Sequence, residues 1–504
     1  MLHGPTPDRV RKMGDALGID LDLEAAEYYA QSIDETLREY YRPLDALGDS
    51  PPPVTFPRTP GFRPSADENP FNAWYWRTDI RGADDGPLAG RTVAVKDNIA
   101  VADVPMMNGA SILQGYVPEF DATVVTRVLE AGATILGKSN CEYLCFSGSS
   151  HTNALGPTHN PWREGFSTGG SSSGSAALVA GGVVDMAIGG DQGGSVREPS
   201  SFCGIYGMKP THGLVPYTGA MTVEPILDHL GPMTQSVADN ALFLEVLAGP
   251  DGLDPRQYPL PLGGYVDALS MSPHGLRVGI LTEGFGHPHS EPDVDEVVRR
   301  AGLGLGALGV EVRDVSVPEH RLGMSAWIPI AVEGVISSLV DQSACPTGTH
   351  GFGMTSLVDA FHSGLQRGNE FPYILQMAVL MARYVTEEVG MHYYARALNV
   401  TRQLRAAYER ALDGVDLLVL PTAPTKAHKL PEPDASRDEQ MAPGFAPITN
   451  TAPFNPTGFP AMSVPVALSE GLPVGLMIVG RHGAERDIYR LAHAIEQASD
   501  WRTA

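Results

Sequence analysis

Two short runs rich in glycine and serine near the middle of the chain constrain most strongly what it can fold into. Residues 169–175 read GGSSSGS and lead directly into AALVA, a helix-forming segment. Residues 191–197 read DQGGSVR and follow an apolar segment typical of a strand. A glycine–serine run on its own usually indicates a flexible linker, but these flanks favour tight turns between regular elements. Serines beside paired glycines suit a nucleophile that backbone N–H groups approach closely.

A lysine upstream of both runs is the second unusual feature. Lys96 ends the apolar stretch Val-Ala-Val within residues 93–96. A lysine at the end of an apolar strand can extend its amine to solvent. Alternatively, desolvation favours the neutral amine, which can act as a general base. Together with the serines, this second alternative predicts acyl transfer without histidine and without metal.

The remaining motifs predict neither a cofactor nor a metal. The glycine-rich runs lack the G-x-x-x-x-G-K-[ST] pattern of phosphate-binding loops, and the fifteen histidines show no H-E-x-x-H. Residues 304–309 match G-x-G-x-x-G, but they follow a predicted helix and precede a predicted strand, the reverse of the dinucleotide-binding context. We predict a helix end there. Asp191 and Arg197 flank the second run and are expected to form a buried pair that holds the loop.

The composition argues against several classes of partner. A formal charge of −24 over 504 residues disfavours binding to nucleic acid and to anionic membranes. The four cysteines form no C-x-x-C pair, which indicates reduced thiols rather than a disulfide framework. The N-terminal residues lack the apolar region of a signal peptide, and no stretch holds eighteen consecutive apolar residues. We expect a cytoplasmic protein that does not span a membrane.

The chain is predicted to consist of a small helical extension and one α/β domain. Residues 7–45 carry apolar side chains at helical spacing, and Pro43 is expected to end this pattern. A proline-rich connector follows, so that extension and connector cover residues 1–64. Residues 65–504 alternate strands and helices, which predicts an α/β fold with a mixed β-sheet core covered by helices on both faces. Within this domain, residues 322–412 are expected to form a helical insert.

The predicted elements are distributed along the whole α/β domain. Strands are predicted at residues 91–95, 134–137, 183–189, 310–317, 417–420, 461–466 and 475–479. Helices are predicted at residues 122–131, 175–181, 293–301 and 486–498. A polar, proline-bearing loop is predicted at residues 425–447.

The segment that contains both glycine-rich runs also resembles a known family. Residues 169–211 read GGSSSGSAALVAGGVVDMAIGGDQGGSVREPSSFCGIYGMKPT, which is similar to the defining segment of the amidase signature hydrolases. Residues 91–99, RTVAVKDNI, resemble the lysine strand of that family, and residues 454–481 resemble its C-terminal block. The spacing from the lysine to the two serines agrees with the Lys–Ser–Ser triad of the family.

The resemblance implies a role for each of three residues. By the family's pattern, Ser195 attacks the amide carbonyl, and Ser171 connects Ser195 to the base Lys96. The family holds the peptide bond before the bridging serine in the cis form, which is the Gly170–Ser171 bond here. Amide hydrolysis would therefore proceed through an acyl-enzyme on Ser195.

The same resemblance implies an oxyanion hole and a substrate pocket. Backbone N–H groups of Gln192, Gly193 and Gly194, with that of the nucleophile, are expected to bind the oxyanion. Many family members carry Thr or Ile where this chain has Gln192, and a side-chain amide there favours primary amides as substrates. Phe146 and Trp327 are candidates for the lining of the acyl pocket.

The resemblance implies an amidase that converts a primary carboxamide to a carboxylate and ammonia, without a cofactor. One alternative is a related anilide, carbamate or ester hydrolase on the same triad. Another is the A-type subunit of a tRNA-dependent amidotransferase, which the acidic composition and the helical extension disfavour. A catalytically inactive binding protein is disfavoured because all three triad residues are present. The tyrosine-rich face of residues 7–45 could fold back on its own chain, or it could pack against a second copy, which predicts a homodimer.

Overall fold

Eleven of the thirteen strands in the described part of the chain belong to one mixed sheet. The computed structural model describes residues 2–348 and 351–503. The strands are β1 (Trp74–Arg81), β2 (Thr92–Lys96), β3 (Thr134–Ser139), β4 (His159–Asn160), β5 (Arg163–Ser167), β6 (Met186–Asp191), β7 (Tyr206–Lys209), β8 (His229–Thr234), β9 (Arg277–Leu281), β10 (Glu311–Val315), β11 (Leu417–Pro421), β12 (Ala461–Ser469) and β13 (Leu472–Gly480). The strand order of the large sheet is β1-β3-β2-β6-β8-β7-β12-β13-β11-β9-β10, while β4 and β5 form a separate pair.

Along the chain, helices lie before, between and after these strands. The α-helices are α1 (Pro7–Ala16), α2 (Leu23–Thr36), α3 (Arg42–Leu47), α4 (Thr123–Glu130), α5 (Ser173–Ala180), α6 (Arg197–Cys203), α7 (Val237–Leu247), α8 (Tyr265–Ala268), α9 (Pro292–Gly304), α10 (Gly323–Pro329), α11 (Thr355–Gly364), α12 (Tyr373–Val389), α13 (His392–Gly414), α14 (Arg437–Met441) and α15 (Glu485–Ala498).

The sheet mixes parallel and antiparallel pairs, as the sequence predicts. Strand β2 runs parallel to both β3 and β6, and β9 runs parallel to both β10 and β11. The central strands between these two groups pair antiparallel. Parallel neighbours bring their carboxyl ends to one edge of a sheet, which is where α/β enzymes place ligands.

Apolar residues on both faces of the sheet are covered by helices. On β2, Val93 and Val95 belong to a core cluster shared with α4 and α7, whereas Ala94 between them belongs to a cluster shared with α5. This alternation follows from the two-residue period of a strand. A strand buried on both faces therefore reads as an uninterrupted apolar run, which is how the sequence identifies β2.

Several elements differ from the sequence-based prediction. The sequence pattern does not predict β1, β4, β5, β7, β8 or β9. Strand β7 has only four residues, and β8 contains a glycine and a proline that mask its periodicity. The strand predicted from residue 183 begins only at Met186, because the N–H groups of residues 182–184 satisfy carbonyls at the end of α5. The loop predicted at residues 425–447 contains the short helix α14.

The first 52 residues form a compact unit of their own, and residues from Pro53 onward form a second. In the first unit α1 packs against α2. Pro43 does not end the helical pattern: a π-helical segment, Leu37–Tyr41, leads directly into α3, and Pro43 is the second residue of α3. Proline removes one N–H donor and crowds the carbonyl four residues earlier, which lies in this wider π-helical segment. Tyrosine side chains of this unit are exposed, at Tyr28, Tyr29, Tyr40 and Tyr41.

The helical insert follows β10 and contains α10 to α13. One continuous helical stretch in it, Pro318–Asp341, is long and apolar enough to span a membrane. It is the only such stretch in residues 2–348 and 351–503, and 67% of its most apolar window is buried inside the protein, as in the core helix of a globular domain. The G-x-G-x-x-G match at residues 304–309 lies between the end of α9 and β10, where a helix end was predicted.

Candidate active site

Neighbouring strands bring the lysine and the two glycine-rich turns to one edge of the sheet. Lys96 is the last residue of β2, and the parallel strand β6 beside it ends at Asp191. Ser171 precedes α5, and Ser195 lies in the turn between β6 and α6. The parallel pairing of β2 with β6 is thus the reason that residues far apart in sequence meet.

Lys96 is completely buried and contacts the first glycine-rich turn. Its Nζ donates hydrogen bonds to Ser171 Oγ at 2.8 Å and to the carbonyl of Gly190 at 3.1 Å. A lysine that extends its amine to solvent, the alternative left open by the sequence, does not fit this burial. The short contact gives the amine and the Ser171 hydroxyl a direct path for a proton.

The first turn requires glycine where it approaches other backbone. The Gly170–Ser171 peptide bond is cis. A Cβ on Gly170 would lie 2.8 Å from Glu142 Cγ and 2.9 Å from the carbonyl oxygen of Ser147, so a side chain there would force a rearrangement. The N–H of Gly170 donates to Glu198 Oε2 at 2.9 Å. The turn is therefore held from both sides by buried groups.

A buried ion pair holds the second turn, as the sequence predicts. Arg197 donates to both carboxylate oxygens of Asp191, at 3.0 and 2.9 Å, and neither side chain is accessible to solvent. Asn455 Nδ2 adds a hydrogen bond to Asp191 at 2.9 Å. Burial opposes ionisation, but the Arg197 guanidinium outweighs it and lowers the pKa of Asp191 to about 2. The pair fixes the two ends of the loop that carries Ser195.

Two side chains from distant segments orient the peptide groups of this loop. Trp327 Nε1 donates to the carbonyl of Gln192 at 2.8 Å, and Thr451 Oγ1 donates to the carbonyl of Gly193 at 2.7 Å. In a trans peptide the N–H points opposite to the carbonyl, so these bonds also fix the N–H groups of Gly193 and Gly194. Neither N–H donates to another group in the described part of the chain.

The loop is packed so closely that only glycine fits. A Cβ on Gly193 would lie 2.8 Å from Trp327 Cζ2, and a Cβ on Gly194 would overlap Thr451 Oγ1. Gly194 also has φ +147°, which L side chains rarely adopt. Two adjacent N–H donors at fixed positions are the arrangement that stabilises an oxyanion.

A narrow pocket opens in front of the second turn. Gln192, Gly193 and Ser195 line it together with Phe146 and Trp327, the two residues that the sequence selects for the acyl pocket. Ser195 is 7% exposed. The pocket thus places five of the predicted site residues on one surface.

The other predicted site residues lie behind this surface. Lys96, Ser171, Gly170 and Gly194 are not part of the pocket lining. No hydrogen bond joins Ser195 Oγ to Ser171 Oγ in residues 2–348 and 351–503. Catalytic hydrogen bonds are often long or poorly aligned before substrate binds.

Aromatic and aliphatic residues that the sequence does not single out complete the pocket. Phe445 packs edge-to-face against both Phe146 and Trp327, with ring centroids 5.8 and 5.7 Å apart. Ile448 adds an aliphatic wall. Phe445 lies near the end of the predicted polar loop, and Ile448 lies just beyond it. Nothing in the local sequence pattern there indicates a pocket.

A thiol also reaches the pocket. Cys145 lines it and donates to Asn108 Oδ1 at 3.1 Å. Burial raises the pKa of the Cys145 thiol, but the neighbouring Cys141 and Lys96 outweigh it and lower the pKa to about 7. The sequence assigns no role to Cys145, because isolated cysteines in a long chain carry no pattern.

Comparison with known proteins identifies the chain's relatives. The family model described as Amidase matches residues 67–488. An enantioselective amidase of Rhodococcus rhodochrous is 47% identical over 86% of this chain and 84% of its own. The A-type subunit of the glutamyl-tRNA(Gln) amidotransferase of Synechococcus sp. (strain RCC307) is 37% identical over 83% of this chain and 85% of its own. A structure of 6-aminohexanoate cyclic dimer hydrolase superposes with a TM-score of 0.73 at 28% identity, covering 83% of this chain and 86% of that one.

Across residues 2–348 and 351–503, no group of three or more histidine, cysteine, aspartate and glutamate side chains is arranged to hold a metal ion.

Proposed function

The chain belongs to the amidase signature family and is a hydrolase of amide bonds, and we propose that it converts a primary carboxamide to a carboxylic acid and ammonia. In this proposal Ser195 is the nucleophile, Ser171 the bridging residue and Lys96 the base. The observation that carries it is the buried contact of 2.8 Å between Lys96 Nζ and Ser171 Oγ, directly behind the pocket that Ser195 lines.

Acylation begins with the attack of Ser195 Oγ on the carbonyl carbon of the amide. The proton of Ser195 passes to Ser171, and the proton of Ser171 passes to Lys96. The tetrahedral intermediate then collapses, and the same path returns a proton to the leaving nitrogen, which departs as ammonia. The product of this half-reaction is an ester between the acyl group and Ser195.

The loop of the second turn supplies the stabilisation of the intermediate. The N–H groups of Gly193 and Gly194 are held by the contacts of Trp327 and Thr451 before substrate arrives. Donors that are fixed in advance need no reorganisation during the reaction, and removal of one such donor typically costs about 10²–10³ in rate. In deacylation, water takes the place of ammonia and releases the carboxylate by the reverse transfers.

The acyl group of the substrate is proposed to lie against the aromatic side of the pocket. Phe146, Trp327, Phe445 and Ile448 present apolar surface and no charge. This surface favours an aromatic or branched aliphatic acyl group over a charged one. The relative of Rhodococcus rhodochrous is described as enantioselective, and a narrow pocket of this kind supports the same property here.

The alternative with the most support is an amidotransferase A-type subunit, because several relatives of that kind align over most of the chain. Such a subunit hydrolyses glutamine for a partner. The two functions differ in which substrate the isolated chain consumes. A further alternative is an anilide, carbamate or ester hydrolase with the same triad.

The proposed enzyme is a cytoplasmic homodimer that needs no cofactor and binds neither nucleic acid nor membranes. The exposed tyrosines of α2 and of the turn that follows it support self-association, since a large exposed apolar face requires a partner.

Formation of the carboxylic acid by the purified chain tests the proposal, because every substrate in the panel releases an acid, whereas only the primary amides and glutamine release ammonia. The panel contains benzamide, branched aliphatic amides and glutamine, with the matching anilides and methyl esters. We expect apolar primary amides to give the highest kcat/KM and glutamine to give none above background. Glutamine as the best substrate would favour the amidotransferase alternative, and anilides as the best substrates would favour the related hydrolase.

A further inference from the structure

Only the NH₂ group of the Gln192 side chain makes hydrogen bonds in the described part of the chain. Its Nε2 donates to Tyr217 Oη at 3.0 Å and to Asp228 Oδ1 at 3.1 Å. The Tyr217 hydroxyl donates its own proton to the carbonyl of Met221 at 3.3 Å, so toward Gln192 it acts as an acceptor. Asp228 also accepts from the N–H of Val223 at 3.1 Å. Both neighbours of the carboxamide therefore require its NH₂ group.

The oxygen of this carboxamide, Gln192 Oε1, has no hydrogen-bond partner in the described part of the chain. Gln192 is 5% exposed, and its Oε1 is buried. Buried acceptors are nearly always bonded, so one beside the nucleophile requires an explanation. Gln192 lines the same pocket as Ser195, where a substrate can supply the missing donor.

We propose that Gln192 Oε1 accepts a hydrogen bond from the leaving nitrogen of the substrate, and that Asp228 and Tyr217 are the positioning residues that present this oxygen. This inference rests on the proposed function, because it assigns a group that distinguishes amides from esters at the same catalytic centre. The substrate class is then a carboxamide with at least one N–H.

The chemistry of the two substrate classes predicts the selectivity. A primary amide has two N–H groups, and one of them can satisfy Oε1 while the nitrogen becomes more basic in the tetrahedral intermediate. An ester presents an alkoxy oxygen at the same place, which leaves two acceptors facing each other. Sites built around a hydrogen bond to N–H or O–H reject analogues that lack it far more strongly than apolar pockets reject a missing methylene.

The acyl-enzyme provides an internal control. Once ammonia or alcohol has left, an amide and an ester of the same acid give the same ester on Ser195. Gln192 Oε1 then has no leaving group to bind. Acylation by the amide should depend on Oε1, whereas deacylation should not.

The experiment compares wild type with Gln192→Met on a series with one acyl group: the primary amide, the N-methyl amide, the N,N-dimethyl amide and the methyl ester. We expect kcat/KM for the primary and N-methyl amides to fall roughly ten- to a hundredfold in the variant. The kcat/KM for the ester should not fall, because Gln192→Met removes the acceptor that faces the alkoxy oxygen. The deacylation rate measured by partition to hydroxylamine should change less than threefold. Gln235→Met is the matched control, because its amide bonds the carbonyl of Val179 away from the pocket.

Variants of the two positioning residues test the orientation of the Gln192 carboxamide. Asn at position 228 can donate to Oε1 and release Nε2, so Asp228→Asn should lower the amide-to-ester ratio about tenfold while ester turnover persists. Tyr217→Phe removes one of two acceptors and should lower the ratio less. A purely structural role predicts equal losses on both substrates, because damage to folding or to the oxyanion loop affects every acyl donor.

The outcomes separate the inference from the function on which it rests. If Gln192→Met lowers amide and ester turnover in parallel, the inference is wrong and the amidase function stands. If wild type hydrolyses esters but no amide in the series, both are wrong. A selective loss of N–H-bearing substrates, reproduced by Asp228→Asn, supports the inference.

Discussion

The two sides of the pocket differ in the type of residue that forms them. The side behind Ser195 consists of buried polar groups, Lys96, Ser171 and the Asp191–Arg197 pair, joined by hydrogen bonds of 2.8 to 3.0 Å. The opposite side consists of apolar rings whose contacts are edge-to-face. The first side allows one arrangement of donors and acceptors, whereas the second tolerates exchange of one apolar side chain for another.

This difference predicts where substitutions are costly and where they only change selectivity. A buried polar network loses function when any one member is removed, since the remaining members keep unsatisfied groups. An apolar wall changes in size and shape, which alters the range of acyl groups. Substitutions on the two sides should therefore differ in the size and in the kind of their effects, and the largest effects are expected on the polar side.

Removal of Lys96, the proposed base, or of Ser171, the proposed bridging residue, should nearly abolish turnover. We expect Lys96→Ala and Ser171→Ala each to lower kcat by at least about 10³, and the double variant to be scarcely slower than either single variant, because the groups act as a unit. Steady-state kinetics with circular dichroism as a folding check will measure this. Ser173→Ala is the control, because Ser173 belongs to the same run and its buried hydroxyl has no partner in the described residues. Additive losses in the double variant would contradict a shared role.

The side chain that contacts both sides of the pocket should have an intermediate effect. Trp327→Phe keeps an aromatic ring in the pocket but loses the hydrogen bond to the carbonyl of Gln192, so the oxyanion loop is less well fixed. We expect kcat to fall roughly ten- to a hundredfold. This loss is smaller than the loss of up to about 10³ that follows removal of an oxyanion donor itself. Trp162→Phe is the matched control, since its Nε1 also donates to a carbonyl, that of Cys203, away from the pocket. Equal losses in both variants would assign the effect to stability.

The polar side could be predicted from the sequence, because its residues lie in continuous motifs. The Gly170–Ser171 turn, the Asp191–Arg197 pair and the lysine at the end of β2 each follow from local residue types and spacing. The mixed sheet could likewise be predicted from strands such as β11, which are apolar throughout. Short strands with glycine and proline, β7 and β8, could not be predicted, since pairing with neighbours rather than local pattern stabilises them.

The apolar side could be predicted only in part. The sequence selects Phe146 and Trp327 but misses Phe445, which lies in the predicted polar loop of residues 425–447. It also misses Ile448, which follows that loop and has no informative pattern around it. For Tyr217 and Asp228, nothing in the local sequence shows that both require the NH₂ group of Gln192. Such contacts arise from tertiary packing between segments far apart in the chain.

The pH dependence of selectivity should report on Asp228. Burial, with a smaller contribution from the nearby Glu224, raises the pKa of Asp228 to about 7 against the opposing effects of Arg256 and the Gln192 amide. Above this pH the carboxylate accepts from Gln192 Nε2. As the pH falls through 7 the carboxyl takes up a proton and can donate to Oε1 instead, which removes the acceptor for the substrate.

We therefore expect the amide-to-ester ratio of kcat/KM to decrease a few-fold between pH 8 and pH 6. The ratio cancels the titration of groups that both substrates need. In Asp228→Asn the ratio should be low and independent of pH. If the ratio changes with pH in the same way in wild type and in Asp228→Asn, a group other than Asp228 causes the pH dependence.

The smallest effect on catalysis is expected from the N-terminal unit. Substitution of Tyr28, Tyr40 and Leu44, which are exposed by 67%, 62% and 63%, with serine should leave kcat within about twofold, because every triad residue lies beyond residue 90. Light scattering should show the mass of a dimer for wild type and of a monomer for the triple variant. A monomeric wild type, or a variant that remains dimeric, would remove the proposed role of this unit.

The most direct test of the account is the identity of the residue that carries the acyl group. Wild type is mixed with a slowly deacylating amide, quenched in acid, digested and analysed by mass spectrometry, with Ser195→Ala treated in parallel. We predict an adduct equal to the amide minus ammonia on the peptide that contains Ser195, and neither adduct nor turnover in Ser195→Ala. An adduct on Ser171 or on the Cys145 thiol, or turnover by Ser195→Ala, would contradict the assignment of the nucleophile.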